Sequence, residues 1–171
     1  MKDISLKDLQ DQFVAELKEV DDVAQIVLKG HLVIEGLMND ALNTYLLHGE
    51  CLDGARLNFS QKTALCRAMS LDEHKNSMWA MIEKLNAVRN ALAHSLDPER
   101  RAKALAAPKA DYEREFPRAP VSDIDEMEAD AALCMLAVSG CLGFLHGFYA
   151  EIRRFKVLVV GLDAVMNKGV L

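Results

Sequence analysis

An all-α fold, a single-domain helical bundle of about five to six helices running up and down, is what this sequence predicts. Three observations predict it. Aromatic residues make up only 6% of the 171-residue chain while hydrophobic residues make up 51%, so Leu, Ala, Val and Met, residues of helices more than of sheets, carry the apolar load. Apolar side chains recur three and four residues apart along the long segments. Helix-opening Ser and Asp patterns and chain-breaking Gly and Pro punctuate those segments. With 27% charged residues, the composition is that of one globular domain, 1–171, with its core between 20 and 155.

The elements follow in order. Ser5-Leu6-Lys7-Asp8 resembles a capping box and opens a helix to about Glu19. Asp21-Asp22 can cap a second helix to about His48, with Ile26, Val27, Ile34, Leu37, Met38, Ala41 and Tyr45 on its apolar side. Gly49 and Gly54 break the chain, and Ser60 opens a short helix to about Met69. Ser70-Leu71-Asp72-Glu73 is a second capping pattern, and the helix after it reaches about Leu96. Its core stripe is Met78, Met81, Ile82, Leu85, Val88 and Leu92, with Trp79 beside it as a packing anchor. Asp97-Pro98 ends that helix and starts the next. Pro108, Pro117 and Pro120 mark 98–121 as an irregular connector, and Ser122 opens a long last helix. Past Arg154, Val157 to Leu162 fits either a continued helix or an extended tail.

Charge and cysteine usage narrow the function classes. A net charge of −6 repels nucleic acid, so any RNA contact needs a local basic patch. Cys51, Cys66, Cys134 and Cys141 form no C-x-x-C pair and have no histidines at ligand spacing, so they read as free thiols. No apolar leader follows Met1, and a reduced cytoplasm fits. Residues 131–150 lack Asp, Glu, Lys and Arg over a bilayer's length, but three glycines, Ser139 and His146 weaken their hydropathy. They read as a buried or dimer-interface helix, not a membrane span, with Ser139, Gly143 and Gly147 giving a smooth ridge. There is no phosphate-binding glycine loop, dinucleotide fingerprint, nucleophile elbow or helix-turn-helix, and no cofactor is implied.

The chemistry concentrates in Leu85-Asn86-Ala87-Val88-Arg89-Asn90-Ala91-Leu92-Ala93-His94-Ser95. Arg supplies a planar cationic fork that suits a phosphate, and His exchanges a proton near neutrality. Asn90 and His94, four apart, share a helix face, whereas Arg89 and His94 diverge by about 140°. One helix is therefore a poor site, and two such helices across a two-fold axis would make a better one. Arg89-Asn90-Ala91-Leu92-Ala93-His94 resembles the Arg-polar-x-x-x-His signature of the HEPN superfamily, all-helical domains that include RNA-cleaving toxins and antiphage nucleases. Gly30-His31-Leu32-Val33-Ile34-Glu35-Gly36-Leu37 resembles the preceding helix of that superfamily's mannitol operon repressor branch. The similarity covers residues 20–97.

The resemblance implies a homodimeric, metal-independent endoribonuclease with Arg89, Asn90 and His94 as its catalytic set, acting on RNA and held by an antitoxin. It implies, as the alternative, a non-catalytic transcriptional regulator working through protein contacts. A histidine would take the ribose 2′-OH proton while Arg89 stabilises the phosphoryl oxygens. His31 and Glu35, four apart, read as a structural pair or as support for the Arg89 cleft, without a third metal ligand. Arg89 could also simply pair with an acid such as Glu35. Arg100, Arg101 and Lys103 follow the motif as a docking patch for RNA or a regulatory protein.

Overall fold

The computed structural model describes residues 5–17, 23–52, 54–94, 98–115 and 126–167. Six α-helices follow in order: α1 (Leu6–Leu17), α2 (Val23–Tyr45), α3 (Phe59–Met69), α4 (Ser77–His94), α5 (Pro98–Glu115) and α6 (Glu126–Met166). Short 3₁₀ turns at Gly49–Leu52 and Asp72–Lys75 link them, and no strand occurs among the described residues.

Local chemistry sets the helix ends. Ser5 and Asp8 form the expected reciprocal cap, each backbone N–H donating to the other's side-chain oxygen at 3.1 Å. The second cap lies elsewhere than expected. Asn58, not Ser60, opens α3: its side chain accepts from the Gln61 N–H at 2.9 Å while Gln61 Oε1 accepts from the Asn58 N–H at 3.0 Å. Ser70 closes α3 instead of opening α4, because its hydroxyl is spent on the Cys66 carbonyl at 3.2 Å. Asn76 supplies the missing cap, accepting from the Met78 N–H at 2.9 Å.

The irregular connector expected over 98–121 is corrected for its first part. Residues 98–115 are helical, with Pro108 inside the helix. Pro108 is buried and stands in one stripe with buried Leu105 and Tyr112, so packing offsets the lost backbone donor. Lys84 of α4 pairs with Asp111, which also holds Arg114 at 3.0 Å, and this pins the far half of α5. Pro117 and Pro120 lie outside the described residues. Past Arg154 the helical alternative holds, since α6 continues to Met166.

Helix α2 is central. Gly30 meets Val138 of α6, Tyr45 stacks on Phe155 at 5.9 Å and Lys156 Nζ donates to the Leu46 carbonyl at 2.9 Å. Contacts thus advance together along both helices, and α2 and α6 run in the same direction. α3 follows α2 likewise, with Phe59 against His31 and Cys66 Sγ bonded to the Met38 carbonyl. α4 runs the other way: Trp79, fully buried, meets Phe144 and Phe148 edge-on at 4.9 and 5.4 Å, whereas Asn86 reaches back to His31. Cys66, Cys134 and Cys141 are buried in this core and Cys51 is exposed, all as free thiols. Burial pushes the Cys66 thiol up to about 12. Among the described residues, α6 alone is long and apolar enough to cross a membrane, with a mean hydropathy of 1.8, and 44% of that stretch is buried in the bundle.

The α2–α6 crossing is a close approach. A Cβ on Gly30 would stand 2.7 Å and 2.8 Å from the two γ-methyls of Val138. Val is stiff at χ1 and cannot swing aside. Gly30→Ala, which would stabilise an exposed helix by about 1 kcal/mol, is therefore expected to destabilise this protein by about 1–3 kcal/mol through overpacking. Val138→Ala in the same chain should recover much of that loss. Denaturant unfolding of the two single variants and the double variant measures the coupling.

Candidate functional site

Where α2, the start of α3 and the last turns of α4 meet, an apolar interface gives way to a polar cluster. Met78, Met81, Ile82, Leu85 and Val88 are buried as the stripe requires, and Leu92 is partly buried. That orientation turns Asn86, Arg89 and Asn90 towards one side of α4, with Asn86 and Arg89 half-buried and Asn90 exposed. Arg89 Nη1 donates to Asn90 Oδ1 at 3.0 Å. The guanidinium is thus held beside the amide that follows it in the chain.

His31 is the buried partner of this face, 6% exposed. Its Nε2 lies 3.0 Å from Asn86 Oδ1, and Asn86 Nδ2 donates to Ser60 Oγ at 3.3 Å. With the amide nitrogen so engaged, Asn86 presents its oxygen, and His31 carries its proton on Nε2. The imidazole stacks on Phe59, centroids 4.0 Å apart and planes inclined by 23°. Burial is the main force lowering the His31 pKa. The Arg89 and Lys62 cations lower it further, against opposing effects from the Asn86 hydrogen bond and Glu35. His31 is therefore a neutral imidazole whose field includes the Arg89 charge.

Glu35 does not pair with Arg89 as one reading allowed. Its Oε1 accepts from Lys62 Nζ at 2.6 Å, with both side chains largely covered. The hydrogen bonds of His31 and Glu35 go to different helices, His31 to α4 and Glu35 to α3, while the Glu35 charge still favours the protonated form of His31. No group of three His, Cys, Asp or Glu side chains that could hold a metal occurs among the described residues. His94 is the last residue of α4, and its side chain lies outside the described residues, as do those of Arg100 and Arg101. Lys103 is exposed on α5.

Sequence reasoning missed Asn86, Ser60, Lys62 and Phe59. Asn86 was within reach, since it precedes Arg89 by three residues and so shares its face. The other three sit on α3 and carry no local signal. Away from this cluster, a concavity of 560 Å³ lies between α2 and α6, lined among others by Leu37, Asp40, His146, Tyr149 and Lys156. His146, isolated in sequence, thus faces a groove. Comparison with family models, curated proteins and solved structures finds no match to this chain.

The lowered His31 pKa has a definite sign in stability. Above pH about 6.5 the imidazole is neutral in both folded and unfolded chains. As pH falls below that value the unfolded chain takes up a proton first, so His31's contribution drains away down to its lowered folded pKa. His31→Gln, which keeps a donor for Asn86 but does not titrate, should flatten the melting temperature between about pH 7 and 5 relative to the parent. An equal acid dependence in both proteins would show that His31 titrates normally in the fold.

Proposed function

We propose that this chain is a metal-independent endoribonuclease of the HEPN type, with Arg89, Asn90 and His94 as its reactive set. The observation that carries this reading is the hydrogen-bonded Arg89–Asn90 pair on the open face of α4, one turn before His94. Behind it the His31–Asn86–Ser60 chain fixes the rotation of α4. A phosphate lodged against Arg89 meets a planar fork, with the Asn90 amide at its side. In a chain of net charge −6, that cation provides local attraction that the surface as a whole lacks. Lys103 adds an exposed charge on the neighbouring helix.

The chemistry needs no metal in this reading. His94 takes the proton of a ribose 2′-OH, the 2′-oxygen attacks the adjacent phosphorus, and the 5′-oxygen of the next nucleotide leaves with a proton from a second acid. In a homodimer that acid is the partner's His94, and Arg89 stabilises charge on the non-bridging oxygens. The products are a 2′,3′-cyclic phosphate and a 5′-hydroxyl. Protein-mediated regulation without catalysis is the second reading, favoured by the exposed apolar end of α6.

Cleavage of single-stranded RNA in excess EDTA tests the proposal. His94→Ala should reduce the rate by about 100- to 10,000-fold, and Arg89→Lys by about 100-fold or more, because an ammonium lacks the fork. A 2′-deoxy nucleotide at the cut site should block the reaction. Metal-dependent cleavage leaving 3′-hydroxyl ends would overturn the mechanism. Equal activity in the identically purified His94→Ala protein would overturn the assignment, and no cleavage at all would favour the regulator.

A further inference from the structure

Among the described residues, Phe155 and Lys156 make the last ring contact and the last hydrogen bond from α6 to its neighbours, through Tyr45 and the Leu46 carbonyl. The helix nevertheless continues to Met166, about 15 Å further at 1.5 Å per residue. Along it Val157 is 72% exposed, Leu158 65%, Val160 50%, Leu162 62%, Val165 66% and Met166 80%. Together these side chains present on the order of 700 Å² of apolar surface, above a monomer's usual largest patch. Bare in water, a helix end of this kind has no packing to sustain it.

We infer that this end of α6 is a membrane-docking element, which lodges in one leaflet of a bilayer rich in anionic lipid without crossing it. Three features select lipid. The first is that the apolar surface runs round most of the helix. At 100° per residue, Val157, Leu158, Val160 and Met166 stand on four different sides. A partner helix covers a stripe of roughly 100° and would leave the other sides wet, whereas hydrocarbon meets them all at once. The second is the placement of the polar residues on one line. Lys156, Asp163 and Asn167 follow each other by seven and four residues, and Asn167 Nδ2 donates to Asp163 Oδ1 at 2.6 Å. Leu158, Leu162 and Val165 stand on the opposite side, so a tilted helix buries them while the polar line faces water. Charge is the third. Arg153, Arg154 and Lys156 lie at the root of the segment, level with the headgroup phosphates once the apolar turns are immersed. Asp163 is the one acid between 157 and 166.

Length agrees with docking and not with a span. About 15 Å of helix matches one leaflet, half the roughly 30 Å of a hydrocarbon core, and the preceding turns of α6 are committed to α2. Docking there leaves the Arg89 face open. Helix α4 runs away from this end, from Trp79 at Phe148 to Asn86 at His31, so its last turn lies at the far end of the bundle. Lipid binding is read independently of RNA cleavage, and neither result bears on the other.

Flotation of the full chain with vesicles of phosphatidylcholine and phosphatidylglycerol tests it. The wild type should float with these vesicles, and bind phosphatidylcholine alone about tenfold or more weakly. Leu158→Glu/Leu162→Glu should stay in solution with unchanged helical circular dichroism, because both side chains already face solvent. Arg154→Glu, at an exposed position, should weaken binding to the mixed vesicles about tenfold or more. Leu162→Trp places a reporter in the segment, since the native Trp79 is fully buried. Its emission should move to shorter wavelength only when the mixed vesicles are added. Failure of the wild type to float would overturn the inference, as would equal affinity for the two vesicle types or flotation that survives Leu158→Glu/Leu162→Glu. So would a Leu162→Trp emission already at short wavelength without lipid, which would assign the segment to a contact with a second copy of the chain.

Discussion

The close crossing of α2 and α6 at Gly30 and Val138 is the constraint on which the remaining geometry depends. With no Cβ at position 30, the γ-methyls of Val138 occupy the space that one would fill. That contact fixes the rotation of α2 about its own axis. His31 follows by about 100° of helical turn and is thereby directed at α4 and the start of α3, and Glu35 one turn on at Lys62. A shift of α2 by the width of a methyl group would move both side chains off their partners, since interiors this dense transmit displacement and do not absorb it. Packing of the largest helices and placement of the polar cluster are thus one problem with one solution.

The polar cluster in turn has little slack. A buried imidazole that loses its acceptor costs about 1–3 kcal/mol, so the His31–Asn86–Ser60 chain holds three helices to one arrangement. The Glu35–Lys62 pair behaves similarly. Removing either partner leaves a largely covered charge behind, whereas removing both costs far less. Such a network contributes specificity of position more than stability.

Much of the fold was legible because it rests on periodicity. The stripe from Met78 to Val88 is buried as its spacing demands, and Trp79 is the packing anchor its setting suggested. Caps were harder to read. Ser70 and Asn76 both precede helical sequence, and only the bond of Ser70 to the Cys66 carbonyl decides which of them opens α4. Pro108 misled because a proline's local cost was read without the burial that offsets it. Of the candidate site, the residues close together in sequence were legible, and His31 and Glu35 were singled out as polar positions on α2. Their actual partners, Asn86 and Lys62, were not, because pairing between helices depends on helix rotation, which single-sequence periodicity fixes only to within about a residue.

Charge distribution ties the cluster to the surface. The chain is acidic overall, at −6, yet beside burial, which is the main force lowering the His31 proton affinity, Arg89 and Lys62 act in the same direction. Lys62 is largely neutralised by Glu35 at 2.6 Å, so its field falls off quickly. Arg89 is bonded to a neutral amide, so its charge is not cancelled within that pair. Within about a Debye length, 8–10 Å at ordinary salt, this guanidinium attracts anions, and beyond it the net negative charge of the chain opposes their approach. An anionic ligand would gain little from long-range steering and much from the final few ångströms. On the ribonuclease reading proposed above, recognition would rest more on fit at Arg89 and Asn90 than on net attraction.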